Sequence, residues 1–467
     1  MSTEFDAIVL GGGPGGYPCA IRLGQLGQTV ACVEEEEYGG VCLNWGCIPS
    51  KALISNAHLY HKAHGADEVG LSFGDVKLDV GKMQSWKDGI VKKLTGGVRT
   101  LLKANNATVV EGRGRLIDAH TVQVEGKGGT KTLTAKKAIV IATGSATIQV
   151  PGFEFDGKRI IGARQAVSLK EVPKRLVVVG GGVIGLELGM VYQAFGSELT
   201  VVELTPNLLP GTDPEAVKVV ERTLKKRGAK IFTETRADGY EVVGDSVRVK
   251  LKTKTGNESV ECDVVLVAVG MKPRSRDIGL EALGVQIDPR GFVPTDDLCQ
   301  TNVPGIYAIG DVSGPPMLAH KASKEGEVCA EIIAGHKAGK DWTSIPGIIF
   351  TDPEIATAGM SEVEATAQGH KLKIGKFPFA ALGRAMSIRE TDGFVKVITD
   401  AETKRVLGVT VVGPSASDLI SEAMLAVEMT ATAEDLALTM HPHPTLGEAM
   451  MEASAAALGQ AIHIANR

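Results

Sequence analysis

Two cysteines stand five residues apart in Cys42-Leu43-Asn44-Trp45-Gly46-Cys47-Ile48-Pro49-Ser50-Lys51, directly after Gly39-Gly40. They fall near the start of an expected helix, where a thiol's pKa is depressed and its thiolate fraction rises. The spacing is short enough for a disulfide, provided the backbone brings the two Cα atoms to about 5.5 Å. Zinc is a poorer reading, because no second Cys or His pair at ligand spacing accompanies the first. Two buried structural thiols are the plain alternative. Near the other end, His441-Pro442-His443-Pro444-Thr445-Leu446-Gly447-Glu448 places a carboxylate five residues after a histidine. Neutral imidazole is suited to taking a thiol's proton near neutral pH. A carboxylate can orient the ring and stabilise its protonated form. Taken alone, such a histidine is more often a packing or capping residue.

Two glycine-rich turns also carry chemistry. Gly11-Gly12-Gly13-Pro14-Gly15-Gly16 follows an apolar run from Phe5 to Leu10, and Gly180-Gly181-Gly182-Val183-Ile184-Gly185 follows Leu176 to Val179. Each precedes a helix-compatible stretch and a second apolar run. The acids that end those runs, Glu34 and Glu203, each lie 21 positions after the middle motif glycine, Gly13 or Gly182. This is the dinucleotide fingerprint in duplicate. The first glycine (Gly11, Gly180) makes the tight turn, and the second (Gly13, Gly182) lets a pyrophosphate approach. The third (Gly16, Gly185) lets helix and strand pack closely. The phosphates then face a helix N-terminus, and the acids accept hydrogen bonds from ribose hydroxyls. One copy could be merely a tight turn; a pair is strong. Glu35, Glu36 and Glu37 read as a solvated charge run. Leu204 to Asn207 supply no Arg for a 2′-phosphate, so the second site reads as NAD-binding, not NADP-binding. Lys225-Lys226-Arg227 reads as an exposed helix face.

The elements that position these residues form an alternating pattern. Short strands are expected over 105–141, ending in Ala138 to Ile141 before Ala142-Thr143-Gly144. Val264 to Val269 closes the second unit before Gly270, and Gly305 to Asp311 follows. From about Pro346 the character changes to strands and then an Ala-rich helical stretch from Ser417 to Glu428. At roughly 150 residues per domain, 467 residues make about three domains. The near-balanced net charge of −5 lacks the basic excess of a nucleic-acid binder. No apolar run approaches the roughly 18 residues that span a bilayer. The N-terminus has neither a basic segment leading into an apolar stretch nor an Arg-rich one, so no signal is read there. Seven cysteines, an odd number in a long chain, argue against a secreted disulfide scaffold. His58, His61 and His64 read as a polar helix surface sooner than a metal face.

The segment from Gly39 to Lys51 resembles the redox-active segment of the flavoprotein pyridine nucleotide-disulfide oxidoreductases. Its Ile48-Pro49-Ser50-Lys51 ending resembles the dihydrolipoamide dehydrogenases most. The resemblance covers essentially the whole chain. It implies an α/β fold of two Rossmann-like dinucleotide-binding domains, the second inserted in the first, plus a C-terminal α+β dimerisation domain. The expected divisions are 1–147 and 272–345 for FAD, 148–271 for NAD and 346–467 for dimerisation. Cys42 is then the interchange thiol and Cys47 the charge-transfer thiol. Lys51 lies near the flavin N5 and pairs with Glu187. Gly114, Gly144, Asp311 (at the ribityl region) and Ala319 join Gly11, Gly13, Gly16 and Glu34 at a tightly bound FAD, and Gly270 joins Gly180, Gly182, Gly185 and Glu203 at NAD. His443 and Glu448 act as the acid–base pair, with His441 supporting, and reach the flavin site of the other subunit of a homodimer.

The implied reaction oxidises dihydrolipoamide on lipoyl-carrying proteins of 2-oxo acid dehydrogenase or glycine cleavage complexes. The expected compartment is the cytoplasm, or the mitochondrial matrix if a presequence has been removed. No metal, nucleic acid or membrane is expected. A glutathione-type reductase would favour NADPH and a different ending after Cys47, and a mercuric-type reductase usually has a C-terminal cysteine pair, whereas the last cysteine here is Cys329. Five positions depart from the common pattern: Trp45, Met271, Lys272, Phe350 and Gly447.

Overall fold

The apolar run before the first glycine turn forms strand β1 (Glu4–Leu10). The turn opens helix α1 (Gly16–Gln25), and strand β2 (Val30–Glu34) returns parallel to β1. This is a computed structural model, and it describes residues 3–466. Helices α2 (Gly40–Trp45), α3 (Cys47–His64) and α4 (Val80–Ala104) follow, the last capped by the Asp79 side chain on the Lys82 N–H. Strands β3 (Ala107–Glu111), β4 (Arg113–Leu116), β5 (Thr121–Gly126) and β6 (Gly129–Ile141) complete a sheet of order β3-β2-β1-β6-β5-β4, with Ile306–Ala308 parallel on β6. Strand β6 serves two ladders: its start is antiparallel to β5 and its end parallel to β1. The parallel strands are apolar almost throughout, as a sheet covered on both faces requires. Ile8, Leu10, Ala31, Val33, Ile139 and Ile141 lie in its core.

This first compact unit comprises Met1–Val150, Gly162–Glu171 and Gly270–Asp341. The middle piece carries the short helix α5 (Ala163–Ala166). It is lashed to α4: the buried Lys87 Nζ donates to the Val167 carbonyl and Gln84 Nε2 to the Leu169 carbonyl, each at 3.0 Å.

The second unit comprises Pro151–Ile161, Val172–Val269 and Trp342–Arg467. Its parallel sheet runs Lys230–Phe232, Glu198–Val202, Arg175–Val179, Val264–Val267, Ile160–Ile161. Helix α6 (Val183–Ala194) follows the second glycine turn, and helix α7 (Pro214–Lys226) is capped by Asp213. After an antiparallel three-stranded sheet, the C-terminal part adds five antiparallel strands. The helices Ala416–Glu428 and Glu448–Ala457 cover that sheet, closing a core around Phe377, Val395, Val411, Ile420 and Ala453. Lys225 and Lys226 are exposed as expected. Arg227 is not part of that face: it caps α7 and its guanidinium pairs with Asp352 at 2.5 Å.

Candidate active site

Cys42 lies in α2, and Cys47 is the first residue of α3. The two sulfurs form a disulfide with the Cα atoms 4.6 Å apart. Gly46 makes the crossing possible, since a Cβ there would come within 2.8 Å of the Val41 carbonyl. Asn44 Nδ2 ties α2 to the carbonyls of Tyr38 (3.1 Å) and Gly40 (2.9 Å). The whole segment hangs from the first glycine turn. The Gly39 N–H donates to the Gly12 carbonyl at 2.8 Å, and a Cβ at Gly40 would meet Gly13 Cα at 2.7 Å. Lys51 follows one turn along α3 and is half-buried. The other five cysteines are buried and reduced. Burial raises the Cys262 and Cys299 thiols to about 12, so neither is a thiolate at neutral pH.

The two glycine turns repeat each other's geometry. Gly11 and Gly180 have φ of 110° and 108°, a region that favours glycine. Gly16 and Gly185 pack directly on the carbonyls of Gly11 and Gly180. Gly13 and Gly182 differ: a Cβ at Gly13 would meet only Gly40 Cα at 3.7 Å, and one at Gly182 would meet nothing within 4 Å. Protein packing does not require glycine there, and open space beside helix N-terminal N–H groups fits a pyrophosphate. The acids match as well. Glu34 accepts from the Gly12 N–H (2.7 Å) and the Glu36 N–H (2.8 Å), and Glu203 from the N–H groups of Gly181 (2.6 Å) and Thr205 (2.7 Å). Burial raises the Glu34 pKa above the ordinary carboxylate range despite those two donors.

Asp311 is pushed up by burial, while its Oδ2 takes the Ser145 hydroxyl at 2.5 Å. Ala319 opens the helix Ala319–Ile333, and Gly144 has φ of 69° with open space around it. Gly270 has φ of 127°, and its carbonyl accepts the Ile148 N–H at 3.1 Å. Gly114 lies in β4, where a Cβ would come 2.7 Å from the Leu10 side chain, so a larger residue there would have to displace Leu10. Met271-Lys272-Pro273 forms a ribbon with Ser145–Thr147, which fixes the backbone of that unusual segment.

In the second unit, Glu448 is the first residue of its helix and binds His443 Nδ1 at 2.8 Å. His443 itself is 80 % exposed. His441 is held between the Thr439 carbonyl and Glu422. Glu187, buried in α6, accepts the Phe350 N–H at 2.8 Å, so a backbone group makes that contact and a Phe in place of Tyr preserves it. Lys51 and Glu187 belong to different units, as do the cysteines and His443.

Several features were not read from the sequence. Glu35, Glu36 and Glu37 are exposed but not merely solvated, for they pair with Arg274, Arg164 and Arg99 respectively. Arg164 also lies over the Trp45 ring. A further histidine–carboxylate pair, His463 and Glu452 (2.6 Å), sits one helical turn beyond Glu448, and no local spacing in the sequence announces it. His58, His61 and His64 lie on α3, and no cluster of metal-ligating side chains occurs among the described residues.

Residues 5–326 match the family model for pyridine nucleotide-disulphide oxidoreductases, and residues 345–454 match that family's dimerisation domain. The chain belongs to the pyridine nucleotide-disulphide oxidoreductase family. It is 48 % identical over 462 residues to the dihydrolipoyl dehydrogenase of Bacillus subtilis, covering 99 % of this chain and 98 % of the relative. It is 47 % identical to the dihydrolipoyl dehydrogenase of Thermus scotoductus, covering 99 % of each. LpdA of Mycobacterium tuberculosis, a solved structure, superposes with a TM-score of 0.90 at 28 % identity, over 97 % of this chain and 99 % of that one. Membership brings FAD and NAD as cofactors, and the paired glycine turns fit two dinucleotides. The match to the family's dimerisation domain supports a homodimer. No helix among the described residues is long and apolar enough to cross a membrane.

Proposed function

We propose that this chain oxidises dihydrolipoamide carried on partner proteins to lipoamide and delivers the electrons to NAD+. The observation that carries the reading is the Cys42–Cys47 disulfide at the start of α3, suspended from the first glycine turn. With Nδ1–H committed to Glu448, His443 Nε2 of a second copy of the chain accepts a proton from the substrate thiol. The resulting thiolate attacks Cys42 Sγ, the Cys42–Cys47 bond breaks, and Cys47 leaves as a thiolate. The second substrate thiol attacks the substrate sulfur of the mixed disulfide. Lipoamide closes, Cys42 leaves and takes up the proton held on His443, and His443 accepts the proton of the second substrate thiol. FAD, when bound, supplies the electron transfer from the dithiol to NAD+.

Gly11, Gly13, Gly16, Glu34, Gly114, Gly144, Asp311 and Ala319 hold FAD in this reading, and Lys51 lies by its flavin, paired with Glu187. Gly180, Gly182, Gly185, Glu203 and Gly270 hold NAD. Residues 1–147 and 272–345 are the FAD-binding parts, 148–271 the NAD-binding part and 346–467 the interface. The partners are lipoyl-carrying subunits of 2-oxo acid dehydrogenase or glycine cleavage complexes. The compartment is a reducing one, the cytoplasm or, if a presequence has been removed, the mitochondrial matrix.

The test is an assay of dihydrolipoamide oxidation with NAD+ and with NADP+, recording the visible spectrum during partial reduction. Turnover with NAD+ and a long-wavelength thiolate-to-flavin band are expected. A flavin-loaded protein inert toward dihydrolipoamide would overturn the substrate assignment.

A further inference from the structure

We propose that Arg164 is a positioning residue for the redox loop: it clamps Trp45, and so keeps Cys42 and Cys47 poised to re-form their disulfide. This rests on the reading of that pair as the redox centre. Trp45 is the last residue of α2, and Gly46 alone separates it from Cys47. The Arg164 guanidinium lies 3.8 Å from the centroid of the Trp45 ring. Its Nη1 donates to Glu36 Oε2 at 2.9 Å, and the Glu36 N–H in turn donates to Glu34 Oε1 at 2.8 Å. A continuous chain of contacts thus links the acid of the first glycine motif to the turn between the two cysteines.

Arg164 is delivered by a braced backbone. It sits on α5, on the piece of chain that returns to the first unit from the second and is fastened to α4 through Lys87 and Gln84. A guanidinium is flat and stacks on an indole face, which an ammonium does not reproduce.

The stack matters most once the disulfide opens. Reduction removes the covalent tie between α2 and α3, and the Trp45 contact does not depend on that tie. By restricting the turn it raises the effective concentration of one thiol toward the other, which favours closure. Loss of the clamp therefore shifts the equilibrium toward the dithiol. A partly exposed cation–π contact and its surface ion pair together correspond to a factor of about 3 to 10 in an equilibrium constant.

The experiment uses flavin-loaded wild type, Arg164→Met, Arg164→Lys, Trp45→Val and the Arg164→Met/Trp45→Val double variant. The dithiol fraction of Cys42–Cys47 is measured by thiol trapping in dithiothreitol redox buffers. Flavin content and melting temperature report folding, and Glu36→Gln is a further variant that weakens the clamp without touching the stack. Arg164→Met is expected to move the equilibrium about 5-fold toward the dithiol, and Arg164→Lys by a smaller amount, since an ammonium keeps the charge but not the flat stack. In the Trp45→Val background, Arg164→Met is expected to add nothing further. The proposal is overturned if Arg164→Met stays within twofold of wild type, if it shifts the equilibrium equally without Trp45, or if lysine restores the wild-type value, which would make charge alone sufficient. If the wild type fails to oxidise dihydrolipoamide while these shifts appear, the substrate assignment falls and the clamp stands.

Discussion

Glu448 holds His443 Nδ1 with one carboxylate oxygen and the Thr445 N–H with the other, each at 2.8 Å. Burial pushes this carboxyl up, but the Thr445 N–H and His443 outweigh it and leave its pKa below the ordinary range. The carboxylate is therefore charged wherever the imidazole must be steered. Glu448→Gln keeps a hydrogen-bonding group but removes the charge that stabilises the protonated ring. Its kcat with dihydrolipoamide is expected to fall about 100-fold, and that of His443→Gln by at least as much. Steady-state assays at matched flavin content check both.

Cys47→Ser should retain FAD, because the substitution leaves the first glycine turn, the proposed FAD cradle, untouched. It should lose lipoamide turnover together with the long-wavelength absorbance on partial reduction. Normal turnover in that variant would remove the disulfide from the mechanism.

The glycine turns separate binding from packing. Gly182 has φ of −82° and open space around its Cβ direction, so alanine fits there without strain. Gly182→Ala is expected to leave the melting temperature nearly unchanged and to raise the KM for NAD+ at least 10-fold. Gly185→Ala drives a methyl into the Gly180 carbonyl and is expected to destabilise by about 3 kcal/mol. Comparable nucleotide affinity in wild type and Gly182→Ala would show that the open space serves something other than a pyrophosphate.

Lys396 is 2 % exposed and reaches Asp213 (2.7 Å), Glu215 (2.6 Å) and Glu362 (2.7 Å). It fastens the capped start of α7 to the C-terminal sheet. Lys396→Met strands a partly buried carboxylate cluster and is expected to cost about 3 kcal/mol in urea denaturation. Lys376 and then Lys396 pull Glu215 down to about 2. A carboxyl depressed in the folded state adds stability above its unfolded pKa and loses it as pH falls toward the folded value. Wild type and Glu215→Gln should therefore differ most above pH ~4.5 and converge as pH drops toward ~2.

Much of the site was readable because its parts are local. A glycine turn, its helix and its terminal acid lie within one short stretch, and residue spacing alone reports a strand–turn–helix–strand unit. The same holds for Cys42 with Cys47 and for His443 with Glu448. Contacts between distant segments left no such trace. Nothing near Glu36 announces Arg164, which reaches it only because α5 folds back onto α4. The charge run 35–37 looked like a solvated face, since pattern cannot distinguish a glutamate facing water from one facing an arginine brought in by topology. The same holds for Arg227, whose partner Asp352 lies far along the chain, so that no local pattern sets it apart from the exposed Lys225 and Lys226.

Both oxygens of Glu203 are engaged by N–H groups of its own chain, those of Gly181 and Thr205. This side chain is thus a structural strut of the loop before it is a ribose acceptor. Anyone re-engineering the second site toward a phosphorylated nucleotide inherits that coupling. An arginine at position 203 would strip two backbone donors of their acceptor, one of them buried, so the exchange must import a replacement acceptor along with the new charge. In this fold, changing nucleotide preference is a problem of loop integrity as much as of recognition.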